Sequence, residues 1–447
     1  MLNWIWLALV LCAVLIGGLT GHLKELTEGG FNMAKVAVMD ISLPLIGIMA
    51  LWLGIMRLAE KSGMVQLIAR LLRPVLVRLF PDVPADHPAM GSMLLNMAAN
   101  MLGLVNAATP FGLRAMKDLE TLNPRPGTAT NAMCTFLAIN TSSVQLIPVT
   151  AVGILAVKGS KDPSSIIGTA FAATLIAAIC AIIAVKLLEK LPIFALPPIT
   201  PGDAREKLNE IKTEAEAEPA NEVIVVKPIA PWGYLIIVAY FAFFAWLFLK
   251  LTFPPWFDQP IPDELLRDST RIRAVKILSL LSIPMLLSFF PLYAALRGLR
   301  IYEEFVEGAK EGFQVIVKII PNLVAILVAI GMFRGAGGID LLTTKLTPLM
   351  NMLHFPPELL PMALIRPLSG SGTLGLFTDI VNTYGPDNIL SKMAGTIYGS
   401  TETTFYVVAV YFGAVSIKRT RHAILAGLTA DAVGIIASII ICRLAFS

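Results

Sequence analysis

Long apolar runs, each ended by a short polar stretch, recur along the chain at a spacing that suits membrane-crossing helices. Eleven are long enough to matter: 2 to 20, 33 to 56, 89 to 113, 128 to 157, 165 to 191, 231 to 250, 274 to 297, 313 to 334, 358 to 382, 390 to 416 and 421 to 443. The windows 2 to 21, 166 to 185 and 231 to 249 hold no charged residue, and each matches the roughly 20 residues that a spanning helix needs. Two shorter stretches, 63 to 80 and 338 to 354, are amphipathic and suit the interface. The first run has no basic leader and no A-x-A-like cleavage site, so it is expected to stay as a helix. The pattern predicts an all-α, polytopic integral membrane protein of 10 to 11 hydrophobic segments.

Composition agrees. Of 447 residues 56% are hydrophobic and 15% charged, against about 25% charged in soluble domains, and mean hydropathy is +0.74. The net charge of +4 is spread over loops, so nucleic acid is not an expected partner. Membrane lipid and a small polar solute are; self-association into a homo-oligomer is left open. Cys12, Cys134, Cys180 and Cys442 stand alone in apolar runs, with no metal-ligand spacing, and read as packing residues. His22, His87, His354 and His422 are as scattered and read as loop or interface residues.

One stretch breaks the pattern. LPPITPGDAREKLNEIKTEAEAEPANEVIVVKP is charged, Pro-rich and without apolar periodicity, the composition of a linker. The parts on either side resemble one another. Residues 58 to 84 and 335 to 358 are both amphipathic and end in an aromatic-proline pair; NMLGLVN (100 to 106) falls opposite GTLGLFT (372 to 378), and INTSSVQLIPVTAVGI (139 to 154) opposite GSTETTFYVVAVYFGA (399 to 414). Three matches in the same order predict a duplication, and many transporters place their site where two such copies meet. The extra apolar run at 231 to 250 makes the copies parallel if each crosses an odd number of times, and inverted if a broken element is re-entrant.

Polar, helix-breaking residues lie at membrane depth inside both copies: Asn96 to Gly103 with Arg366 to Thr373, and Asn140 to Ser143 with Ser400 to Thr404. Such breaks are tolerated only where the backbone is buried in protein or lines a wet cavity. Broken or re-entrant helices facing one another between the copies would supply free backbone groups and half-helix dipoles to a ligand.

The motif strings also resemble a known family. NMAANMLGLVNAATPFGLRAM with FLAINTSSVQLIPVT looks like the spore maturation A group, and RPLSGSGTLGL with YGSTETTFYVVAVYFGAV like the spore maturation B group, of the nucleoside recognition (Gate) family. That resemblance covers about 1 to 195 and 275 to 447. It divides the chain into a first Gate-type repeat at 1–195, the linker at 196–230, an extra transmembrane helix and loop at 231–273, and a second repeat at 274–447. It implies a multi-pass inner-membrane protein with a transport-like role and supplies no substrate. Joining the two groups in one chain departs from the family pattern, in which they are separate proteins.

The candidate site residues follow from the breaks. Glu402 is an ionisable group at membrane depth, hence a functional hypothesis by default; its plainer reading is a buried salt bridge with Arg366. Arg366, ahead of Pro367, can hold a carboxylate or phosphate in two-point contact, or merely neutralise Glu402 or Asp379. Ser369, Gly370, Ser371, Gly372 and Thr373 form a glycine-rich loop with three hydroxyls, without the lysine and spacing of a phosphate-binding loop. Ser400, Thr401, Thr403 and Thr404 flank Glu402. In the first copy Asn96, Asn100, Asn106, Asn140, Thr141, Ser142, Ser143 and Gln145 are neutral, suiting a polar solute or a sodium shell as well as plain interhelical bonding. Asp40 and Asp431 are further buried-looking acids. No cofactor fingerprint, HExxH or GxSxG appears, so no enzyme, no resident metal and no cofactor is expected beyond a coupling Na+ or H+. Two function classes remain: an ion-coupled permease for a nucleoside-like solute or small anionic metabolite, and a non-transporting membrane assembly or regulatory protein.

Overall fold

Residues 2–103, 105–194, 227–257, 270–338, 341 and 354–446 are described by a computed structural model. Most of the expected linker and most of the amphipathic stretch at 338 to 354 lie outside the described residues. Among those that are described the secondary structure is helical, with a lone β-bridge between Thr128 and Arg419. Five helices are long and apolar enough to cross a membrane, which makes the chain a multi-pass membrane protein. Shorter apolar helices accompany them.

The first half opens with α1 (Leu2–Thr20), then α2 (Leu23–Lys35), which continues through a π-helical turn (Val36–Ser42) into α3 (Leu43–Lys61). The amphipathic α4 (Met64–Leu79) follows, with Pro74 inside it. Next come α5 (Pro88–Met101), α6 (Val105–Glu120), α7 (Asn131–Ser142) and α8 (Val149–Val157), and α9 (Ile166–Leu188) closes the half. The extra helix is α10 (Pro231–Thr252). It docks on α11 (Thr270–Leu296) through Tyr240, whose hydroxyl donates to the Met285 carbonyl at 2.5 Å. The second half runs α12 (Ile301–Gly335), α13 (Leu360–Ile365), α14 (Gly370–Tyr384), α15 (Ile389–Ser400), α16 (Thr404–Gly413) and α17 (Ala423–Phe446).

Four apolar runs are thus pairs of half-length helices. The breaks fall between α5 and α6, α7 and α8, α13 and α14, and α15 and α16, so each half carries the same order of break, loop and break. The match of NMLGLVN with GTLGLFT does not lay break on break, because Gly103 ends α5 while its sequence partner Gly375 sits inside α14. Both glycines serve close packing or a turn, and that shared demand is what the strings have in common.

Corresponding long helices of the two halves pack on each other: α3 on α12, and α9 on α17. Hydrophobicity gives lipid-facing helices no reason to associate, so close approach through small residues has to do it. Gly308 and Gly312 have the G-x-x-x-G spacing, as do Gly331 and Gly335. A Cβ at Gly308 would stand 2.5 Å from the Leu53 carbonyl oxygen, and one at Gly312 would stand 2.7 Å from Ala50 Cα. Arg57 on α3 adds ion pairs to Glu304 at 2.9 Å and Glu311 at 2.7 Å. On α17, Gly434 faces Ala177 of α9, whose Cβ would stand 3.5 Å from a Cβ added there, while Gly427 packs against Thr404 and Thr141 of the breaks. Large apolar side chains instead face outward, as at Leu175, Ile179 and Ile183 on α9 and across most of α10.

Candidate functional site

The breaks meet in the middle of the fold and satisfy one another. Leu146 N–H, in the α7–α8 break, donates to Met101 C=O at the end of α5 (3.0 Å). Glu402 N–H, in the α15–α16 break, donates to Thr141 C=O near the end of α7 (2.6 Å). Phe405 N–H donates to Pro367 C=O in the α13–α14 break (3.0 Å). Three backbone bonds therefore tie four interruptions together, which is how peptide groups freed at membrane depth avoid facing lipid.

Local chemistry places each break. Pro367 follows Arg366, and Ser369 then caps α14, its Oγ accepting from Gly372 N–H at 3.0 Å. Thr373 donates to Ser369 C=O at 2.7 Å. Ser143 ends α7 in the left-handed region at φ 32°, an uncommon state for a residue with a Cβ. Thr174 on α9 donates to the Ser142 and Ser143 carbonyls at 2.7 and 3.1 Å and takes up groups that the broken helix exposes.

Around this knot lies a cavity of about 210 Å³. Gln145, Arg366, Gly370 and Glu402 line it, together with Trp52, Met56, Ile319 and Tyr398. Arg366 is 2% exposed. Its Nη1 donates to Thr403 Oγ1 at 3.2 Å and its Nη2 to Tyr398 C=O at 3.1 Å, it lies over the Tyr398 ring, and Nε has no partner. Among the described residues no carboxylate forms an ion pair with it. Glu402 accepts from Gln145 Nε2 at 3.4 Å and is not paired with Arg366 either. The salt-bridge reading of these two residues is therefore corrected: opposite charges share the cavity without neutralising each other in direct contact.

Glu402 also faces a second, smaller cavity of about 40 Å³, lined by Asn100, Asn140, Tyr406 and Tyr411. There Asn100 donates to Asn140 Oδ1 at 3.0 Å and Asn96 donates to Tyr411 Oη at 3.2 Å. The acid lines both cavities.

Other sequence-predicted residues play supporting parts. Ser142 and Ser400 donate to carbonyls within their own helices; Ser371 lies against Ser369, and Gly372 packs on Ile365. Thr404 donates to Asp431 Oδ2 at 2.6 Å, while Thr141, Ser143 and Thr401 keep buried hydroxyls without a hydrogen bond. Asp431 is buried, as expected, whereas Asp40 is exposed on the π-helical turn. The Asn106 side chain lies outside the described residues. Asp379 is a correction. The guanidinium fork of Arg334 clamps it, Nη1 reaching Oδ1 at 2.6 Å and Nη2 bonding Oδ2, so Asp379 joins α14 to α12 and does not line the cavity. Arg334, Trp52 and Tyr398 were not legible as partners, since an arginine at a helix end and aromatics in apolar runs carry no signal of what they face.

Comparison with known proteins agrees with this plan. A family model, Gate, described as nucleoside recognition, matches residues 42–158 and 316–418, one region in each half. Spore maturation protein B of Bacillus subtilis (strain 168) is 46% identical over 169 residues, 38% of this chain and 95% of the relative. Spore maturation protein A of the same organism is 43% identical over 183 residues, 41% of this chain and 93% of the relative. A solved structure, the Alcanivorax borkumensis YdaH transporter, aligns over 99% of this chain and 96% of its own at a TM-score of 0.40 and 14% identity. Two Gate regions, and two relatives that each match nearly whole to about half the chain, make this polypeptide a member of the nucleoside recognition (Gate) family with the make-up of an A–B fusion.

Proposed function

We propose that the chain is a permease of the cell's inner membrane for a small polar solute bearing an anionic group, coupled to Na+ or H+, with its site between the two repeats. One observation carries this reading: four interrupted helices enclose a cavity into which a buried arginine and an acid project without pairing. Arg366 is buried with neutral partners, Thr403 and the Tyr398 carbonyl; packing alone gives no reason to keep its charge, since a buried ion without a counter-charge costs several kcal/mol. A transported solute does. The cavity volume of about 210 Å³ lies below the roughly 300 Å³ at which sites for drug-sized ligands begin, so the reading favours a compact metabolite.

The test is uptake into proteoliposomes holding the full chain, with wild type compared to Glu402→Gln under sodium and proton gradients. Gradient-driven uptake lost in the variant supports the proposal. No uptake from well-folded wild type of any nucleoside, carboxylate, amino acid or phosphate would sink it and favour the second reading. That reading, a non-transporting assembly or regulatory protein, is suggested by the names of the spore maturation relatives.

A further inference from the structure

The cavity is electrically two-sided, and resting on the permease reading above, we infer that its solute is a zwitterionic α-amino acid with an apolar side chain. The positive side is built from three features. Arg366 is almost wholly buried, has no carboxylate partner among the described residues and keeps Nε unsatisfied. The first residue of the 15-residue α14, Gly370, lines the cavity, and so does the start of α8 at Val149; helix N-termini favour negative charge. The negative side is the Glu402 carboxylate itself, in the break between α15 and α16. The apolar groups of Trp52, Met56 and Ile319 also line the cavity.

Each solute class can be weighed by the charges it leaves behind. A neutral nucleoside leaves both Arg366 and Glu402 unpaired. A simple carboxylate answers Arg366 and strands Glu402; an amine does the reverse. An α-amino acid answers both, its carboxylate on the guanidinium and its ammonium on the glutamate, and places its side chain on the apolar wall. A volume of about 210 Å³ corresponds to roughly seven waters, room for one such molecule.

The experiment is binding to the full chain in lipid nanodiscs, read by calorimetry. The probes are L-leucine, its amine-free analogue 4-methylpentanoate, its carboxyl-free analogue 3-methylbutylamine, and uridine. The expected result is leucine binding at least about 100-fold tighter than either half-molecule. In Glu402→Gln that leucine preference over 4-methylpentanoate falls to about one, because the ammonium no longer has an ion to meet; a merely structural glutamate would leave the ratio unchanged. Arg366→Lys keeps the charge and retains weak leucine binding. Uridine binding as well as or better than leucine, 4-methylpentanoate matching leucine in wild type, or no binding by any probe would each overturn the inference. The first two outcomes leave the permease reading standing, and uptake measurements separate the third from its failure.

Discussion

Glu402 hands its backbone amide to the Thr141 carbonyl across 2.6 Å, so the acid of the second half is held in place by a broken helix of the first. Its side chain is left to face both cavities. The backbone bond survives side-chain replacement, which separates position from charge. Glu402→Gln is therefore expected to keep the thermal stability of wild type while solute uptake falls by about tenfold or more, the loss of roughly 1.4 kcal/mol or more of charge-assisted bonding. Leu444→Ala on the lipid face, where Leu444 is 81% exposed, is the matched control and should transport normally. Equal losses in the two variants would count against the site.

The glycine contacts between α3 and α12 leave no room for a methyl group. Gly308→Val and Gly312→Leu are expected to destabilise the protein by several kcal/mol or prevent its recovery from the membrane, since an overpacked contact costs about 1–3 kcal/mol even where neighbours can shift. Gly18→Val, with open space around its Cβ position, should be tolerated. Size-exclusion profiles and melting temperatures in detergent decide the matter.

Arg334 and Asp379 predict stability rather than affinity. Asp379 is 3% exposed at its side chain, so Arg334→Leu strands a buried carboxylate and is expected to cost about 3 kcal/mol. Arg334→Leu with Asp379→Leu should recover much of that loss. A double-mutant cycle on unfolding measures the coupling, and solute affinity per folded molecule should stay within about twofold. A selective loss of affinity in Asp379→Asn would return that residue to the site.

His422, in the loop before α17, is buried with neither ring nitrogen hydrogen-bonded. Burial, reinforced by Arg421 and Lys186, holds its pKa down at about 4. A lowered histidine value means that the unfolded chain takes up a proton before the folded one does. Its contribution is intact above the ordinary value near 6.5 and declines as pH falls from there toward 4, by about 3 kcal/mol. Melting temperatures of wild type and His422→Gln across this range should diverge on acidification, wild type falling further. Parallel curves would refute the assignment.

The membrane class, the four breaks and two of the residues that matter most, Arg366 and Glu402, could be read from the chain because proline, glycine and charge at membrane depth demand an explanation that water or a partner must supply. Pairings were harder. Asp379 and Arg334 come from different helices whose relative rotation no periodicity states, and the true contacts of Arg366, Tyr398 and Thr403, lie 32 and 37 residues away, on either side of the acid it was expected to meet, so spacing could not choose among them. Exposure misled in both directions: Asp40 sits among apolar neighbours yet is exposed, and His422 stands in a basic loop yet is fully buried. For membrane proteins the informative exposure is to lipid, and a one-dimensional pattern cannot tell lipid from the neighbouring helix.

The three backbone bonds that tie the interruptions together have a kinetic meaning. None of them can be exchanged for a bond to lipid, because lipid offers neither donor nor acceptor at that depth. The bond from Glu402 to Thr141 is the one of the three that crosses between the halves, so a displacement of one half against the other must bring water or solute to the Glu402 amide as that carbonyl departs. Wetting and opening are then a single event, and a dry cavity is a shut one.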